Sequence, residues 1–171
     1  MSALMEIPYD REKAVAYAHQ WAYLRNPNYY DFSEIGGDCT NFASQCIYTG
    51  CGVMNFKPTY GWYYTNLNDR APAWTSVMYL YRFLTTNTGP GPYGTNVAIT
   101  DVLPGDIAQI RFIGKEEFGH TPVITAIRPP INIDNVWIAA HSMDCDCRPL
   151  STYKNVAELR FVHIEGAREL V

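Results

Sequence analysis

Cys39 lies in the run Gly36-Gly37-Asp38-Cys39-Thr40 and is followed by Phe42, Ala43, Cys46 and Ile47 at three- and four-residue spacing, until Gly50 and Gly52. That period predicts a buried helix that begins at Cys39. A thiol in the first turn of a helix meets the positive end of the helix dipole, and the free amides there can stabilise a thiolate or a developing oxyanion. Gly36-Gly37 lets the backbone approach a substrate closely, and Asp38 and Thr40 can fix the turn through side-chain hydrogen bonds. The competing reading is a small buried residue that merely opens a helix.

A nucleophilic thiol needs a base that takes its proton and later returns one to the leaving amine, and imidazole serves both steps. The candidates are His19, His120, His141 and His163. His120 follows Gly119, comes after Leu103-Pro104-Gly105-Asp106-Ile107 and precedes the apolar run Val123 to Ile127. It is expected at a strand edge, projecting into a cleft. His141 ends Trp137-Ile138-Ala139-Ala140-His141. Adjacent strands would set the two rings side by side, so that His141 orients the far nitrogen of His120. The alternative for each is a partly buried histidine bonded to a backbone carbonyl. His19 and His163 have no companion signal and read as structural or surface residues.

Five cysteines, Cys39, Cys46, Cys51, Cys145 and Cys147, cannot all pair within one chain. Cys46 and Cys51 fall in or just after the Cys39 helix, where buried thiols are inert packing groups. The stretch His141, Asp144, Cys145, Asp146, Cys147 crowds potential ligands together. Cys-x-Cys with one upstream histidine lacks the second ligand pair of a structural zinc site, so no metal and no cofactor is assigned. A zinc-binding module built on His141, Cys145 and Cys147 stays as an alternative, as does a disulfide from this cluster to Cys46 or Cys51. Tyr60, Trp62 and Trp74 could line a saccharide or peptide groove with their flat faces, or equally pack an inserted segment.

These residues need elements to hold them. Arg11 to Leu24 carries Ala14, Val15, Ala18, Trp21 and Ala22 at helical spacing and stops at Asn26-Pro27, which predicts a first amphipathic helix. Gly50 to Thr100 is aromatic and turn-rich, with a short helix expected over Ser76 to Leu84 and a turn at Gly89-Pro90-Gly91-Pro92. From Asp101 on, the runs Ile107 to Phe112, Val123 to Ile127, Val136 to Ala140 and Leu159 to Ile164 read as an antiparallel sheet or small barrel, with Pro129-Pro130 as a hairpin connection. Helices followed by strands predict an α+β fold in one domain over residues 1–171.

The net charge of −4 and the lack of a basic stripe argue against a nucleic-acid partner. No run of about 18 apolar residues predicts a membrane span, and Met1 to Asp10 lacks the pattern of a secretory signal. Oligomeric state leaves no trace in the sequence.

Gly37-Asp38-Cys39-Thr40-Asn41-Phe42-Ala43-Ser44-Gln45, then Leu103-Pro104-Gly105-Asp106-Ile107, then Gly119-His120-Thr121-Pro122-Val123-Ile124-Thr125 together resemble the putative amidase domain family, amidase domain 6, which groups with the CHAP and NlpC/P60 cysteine peptidases and amidases. Tyr9-Asp10-Arg11, Asn26-Pro27-Asn28-Tyr29, Ala73-Trp74 and Ala140-His141-Ser142 with Asp144 extend the resemblance over most of the chain. It implies a papain-like core with Cys39 as nucleophile, His120 as base and His141 as the polar third residue. Asp38 and the backbone around Cys39 would shape the site and its oxyanion hole. It also implies a peptidoglycan or peptide substrate, cut at the muramoyl-alanine link or within the stem peptide, and action outside the cell or at the wall, as in a secreted or phage lytic protein. Pro122 departs from the family pattern and implies a strand start or an edge. A silent wall-binding domain of the same fold, and a transferase in which an amine resolves the acyl-enzyme, are the rival readings.

Overall fold

Asp10 caps the first helix, α1 (Arg11–Trp21), its carboxylate accepting the amide of Lys13 at 3.0 Å. In the computed structural model, which describes residues 2–171, α1 ends three residues before the expected Leu24. Tyr23 and Leu24 are exposed, so no apolar burial extends the helix. Asn26 instead builds a turn, accepting from the Asn28 amide at 2.9 Å and donating to the Tyr17 hydroxyl at 3.1 Å.

Helix α2 (Cys39–Cys51) starts at Cys39, as its period requires, and is buried along nearly its whole length. It stops at Gly52, whose φ of 71° is the left-handed conformation that glycine adopts without strain; its N–H closes on Tyr48 O at 2.7 Å. At Gly50 a methyl group would collide with the ring of Tyr9, which brings the segment before α1 directly onto α2. Two shorter helices, α3 (Pro72–Thr75) and α4 (Val77–Thr86), lie in the aromatic segment, and the Ser76 hydroxyl caps α4.

The strands are β1 (Leu4–Ile7), a small hairpin of β2 (Tyr64–Asn66) and β3 (Asp69–Arg70), β4 (Gly91–Val97), β5 (Ile107–Phe112), β6 (Val123–Ile127), β7 (Val136–Ala140), β8 (Cys145–Pro149) and β9 (Val156–Leu170). Seven of them form one antiparallel sheet in the order β1-β9-β5-β6-β7-β8, with β4 also on β9. The α+β expectation holds. β9 runs well past Ile164 because it serves β5, β4 and β1 in succession along its length.

Strand alternation divides the core. Ile107, Val123, Ala139, Val162 and Ile164 face the helices, whereas Ala108, Ile110, Ile124, Ile138 and Phe161 build a second cluster on the other face. No described helix is long and apolar enough to cross a membrane.

Candidate active site around Cys39 and His120

Cys39 opens α2 with its side chain half-buried. Burial pushes its thiol above the usual range; the Thr40 hydroxyl, 3.7 Å from Sγ, and the backbone N–H groups of Thr121 and Thr40 act in the opposite sense. Thr121 is the chain neighbour of His120, so the start of α2 and the base candidate meet through it. A buried polar relay fixes this approach of helix to strand. Arg160 donates to Gln109 Oε1 at 2.8 and 2.6 Å, Gln109 Nε2 reaches Thr121 Oγ1 at 3.4 Å, and Thr121 Oγ1 meets Thr40 Oγ1 at 3.2 Å. Gln109 and Thr121 are fully buried, so breaking the relay would strand polar groups out of water.

His120 pairs with β5 just before β6 begins: the Ile110 amide donates to its carbonyl at 3.0 Å. Pro122 lies immediately ahead of β6, as its missing N–H demands, and its carbonyl still accepts from Ala108 at 3.0 Å. The His120 Nε2 lies 2.9 Å from the Tyr153 hydroxyl, which leaves Nδ1 to serve another group. Burial, and then the nearby Arg148 charge, push the imidazole down to about 4, so it rests neutral. Burial, with Cys145 beside it, pushes the Tyr153 phenol up, so that group keeps its proton. Its oxygen lies 3.9 Å from Cys145 Sγ. His120 and Tyr153 open on a cavity of 410 Å³ whose walls include Phe112, Met143, Arg148 and Lys154.

His141 is not where the two-histidine expectation put it. Its Nδ1 lies 2.6 Å from Asp38 Oδ2 and its Nε2 2.8 Å from the Trp21 carbonyl, and the ring, 2% exposed, stacks on Phe42 at 4.1 Å. Both nitrogens are thus occupied away from His120, whose partner is Tyr153. The reason is register: β6 and β7 pair Val123 with Ala139, which carries His141 past the end of the ladder toward the end of α1. Arg25 completes the cluster, gripping Asp144 at 2.9 and 3.0 Å and lying 3.6 Å from Asp38.

Asp38 is buried, and its Oδ1 accepts the Phe32 amide and the Asn41 side chain, at 2.8 and 2.9 Å. An acceptor so engaged shapes the loop before Cys39 but offers no proton to an oxyanion. The Asp38 amide is also spent, donating to Ser142 Oγ at 3.1 Å.

The groove assignment of the tryptophans is corrected. Trp62 and Trp74 are both 0% exposed, 4.7 Å apart, and donate to Ser44 and Asn41 on α2, each at 3.0 Å. They are the packing behind the helix. Tyr60 is exposed under Arg82, on a cavity that shares no lining residue with the one at His120. The ligand cluster of the zinc alternative is also dispersed. His141 faces Asp38 and Cys145 faces Tyr153, while Asp146 and Cys147 gather with His19 of α1, His19 Nδ1 lying 2.8 Å from Asp146. All five thiols are unpaired, so the disulfide alternative is not formed.

Nothing in the sequence marks Tyr153 or Arg148 as partners of His120. Each sits in an unremarkable polar stretch about 30 residues from His120, and only the register of β7 with β8 brings them back over the histidine.

A family model described as "Putative amidase domain" matches residues 8–164. The chain is 32% identical over 120 residues to the uncharacterized protein YhbB of Bacillus subtilis (strain 168), covering 69% of this chain and 37% of that protein's length. No solved structure matches.

Proposed function

Because the chain belongs to the putative amidase domain family, we propose that it is a cysteine-dependent hydrolase with a papain-like core that cleaves an amide bond in bacterial peptidoglycan, either N-acetylmuramoyl-L-alanine or a bond of the stem peptide. The observation that carries the reading is Cys39 at the start of buried α2, where the next residue, Thr40, meets Thr121, the neighbour of His120, at 3.2 Å between their hydroxyls. The wall substrate rests on the family resemblance, and it puts the site of action at the cell wall or outside the cell.

Thiol and imidazole both rest uncharged, so proton transfer accompanies attack. The Cys39 proton passes to Nδ1 of His120 as sulfur bonds the carbonyl carbon. The ring must then carry its own hydrogen on Nε2, and the Tyr153 oxygen at 2.9 Å accepts it, the phenolic hydrogen being turned toward Cys145. Tyr153 therefore selects the tautomer, the task that a carboxylate or amide performs in other triads. The first amides of α2, which have no partner inside the helix, hold the oxyanion. His120 then protonates the leaving amine, and a water that it deprotonates cleaves the thioester. Asp38 and His141 hold the helix start in place without touching substrate.

Digestion of purified peptidoglycan, with products resolved by mass spectrometry, tests the assignment. Release of new free amines supports it, and the product masses name the bond. Walls from several species left intact, with no amine released, overturn the substrate.

A further inference from the structure

The cavity that opens on His120 and Tyr153 has no aspartate or glutamate in its lining, although the chain carries a net charge of −4. Its charged members are Arg148 and Lys154, and among the described residues neither forms an ion pair. Three contacts hold Arg148. Its Nε donates to Thr152 Oγ1 at 2.6 Å, its Nη2 to the Thr152 carbonyl at 3.2 Å, and its guanidinium lies 3.9 Å from the centre of the Tyr153 ring. That leaves Nη1 as a donor with no bonded acceptor. Phe112 and Met143 give the same cavity apolar walls.

We propose that the cavity receives a carboxylate of the substrate on Arg148, with Lys154 at its rim, so that the amides cleaved are those flanked by a residue with a free acidic group. The inference rests on the hydrolase reading of the Cys39 site. An uncompensated cation beside His120 does two things. It attracts an anionic group through a charge-assisted hydrogen bond. It also opposes the imidazolium that forms during attack, as it already opposes protonation at rest. A bound carboxylate cancels that opposition, so the acidic substrate is held and its reaction is eased, whereas a neutral analogue meets the full penalty.

The test uses pairs of N-acetyl peptides that differ only by glutamate or glutamine beside the scissile bond. Wild type should favour the glutamate member by about 10-fold in kcat/KM. In Arg148→Met the two should move in opposite directions, glutamate peptides slower and glutamine peptides faster. A merely structural role for Arg148 would slow both, and equal rates on both peptides in wild type would overturn the proposal. Binding is read separately, by titrating Cys39→Ala protein with the same pairs. About 10-fold tighter binding of the glutamate member, erased by adding Arg148→Met, supports the site even if no peptide is cleaved. In that case the hydrolase reading fails and the carboxylate site stands. Equal binding of the two members sinks it.

Discussion

Two clusters in this molecule use the same three residue types in different surroundings. In one, buried Asp38 meets His141 Nδ1 at 2.6 Å with Arg25 alongside; in the other, buried Asp106 meets His163 Nδ1 at 2.9 Å and Arg11 at 2.7 Å. The second cluster is a clasp. Asp106 also accepts the amides of Leu103 and Ile164, at 2.8 and 2.9 Å, while Arg11 donates to the Pro104 carbonyl at 3.0 Å and to that of Ile164. It ties α1 to β9 and the loop before β5. The first is joined through the backbone to Cys39. Neither histidine is the base of the proposed mechanism; that task falls to His120, which has no carboxylate partner. Under that mechanism neither Asp-His pair is catalytic, and what separates the two is the neighbour of the aspartate in the chain: Cys39 follows Asp38, and Ile107 follows Asp106.

The sharpest way to break the comparison is to replace each aspartate. Asp106→Asn should cost about 4 kcal/mol of stability, because an amide has one acceptor oxygen in place of two and turns its NH2 toward a buried site where Leu103, Ile164, Arg11 and His163 all meet the carboxylate. Amide hydrolysis by the fraction that still folds should be unchanged. Asp38→Asn should instead lower kcat about 10-fold through misplacement of the α2 start, at a smaller cost of about 2 kcal/mol. Denaturant melts with parallel rate measurements decide. If Asp106→Asn depresses kcat as much as Asp38→Asn does, the two clusters are not functionally distinct.

A third site responds to pH in a direction that burial sets. His120 is pushed down to about 4 in the fold, against about 6.5 in an unfolded chain. The unfolded state thus binds this proton more readily, so the stabilisation is complete above pH 6.5 and lost as pH falls toward 4, amounting to about 3 kcal/mol. Melts of wild type and His120→Gln between these limits should diverge by that amount. Parallel curves would mean that the ring is not buried neutral.

How much of this could be read from the chain depends on whether local period or distant pairing decides. The start of α2 at Cys39 and the strands β5, β6 and β7 follow from apolar spacing alone, because each buries a face whose pattern is local. β1, β4 and β8 do not. The Gly-Pro-Tyr-Gly-Thr-Asn-Val of β4 reads as a turn and is held extended by β9, about 70 residues on, and the Cys-Asp-Cys-Arg-Pro of β8 has no apolar alternation. The candidate nucleophile and base were legible because a helix start and a strand edge are local features. The partner of His120 was not, since choosing Tyr153 over His141 requires the register of three strands. The tryptophans were ambiguous for the same reason: an indole suits a groove or a core, and only burial tells which.

The smallest effect expected is at that partner. Tyr153→Phe removes one hydrogen bond worth about 1 kcal/mol and should slow hydrolysis about fivefold, with stability nearly unchanged. Loss of the same size in His141→Gln with none in Tyr153→Phe would restore the two-histidine arrangement.

The central claim is that Cys39 is the nucleophile, and trapping its acyl-enzyme tests it most directly. Wild type quenched in acid during turnover should carry the acyl half of the substrate on the peptide containing Cys39, and Cys39→Ala should carry none and release no amine, while Cys46→Ala behaves as wild type. Full activity in Cys39→Ala would contradict the account at its root.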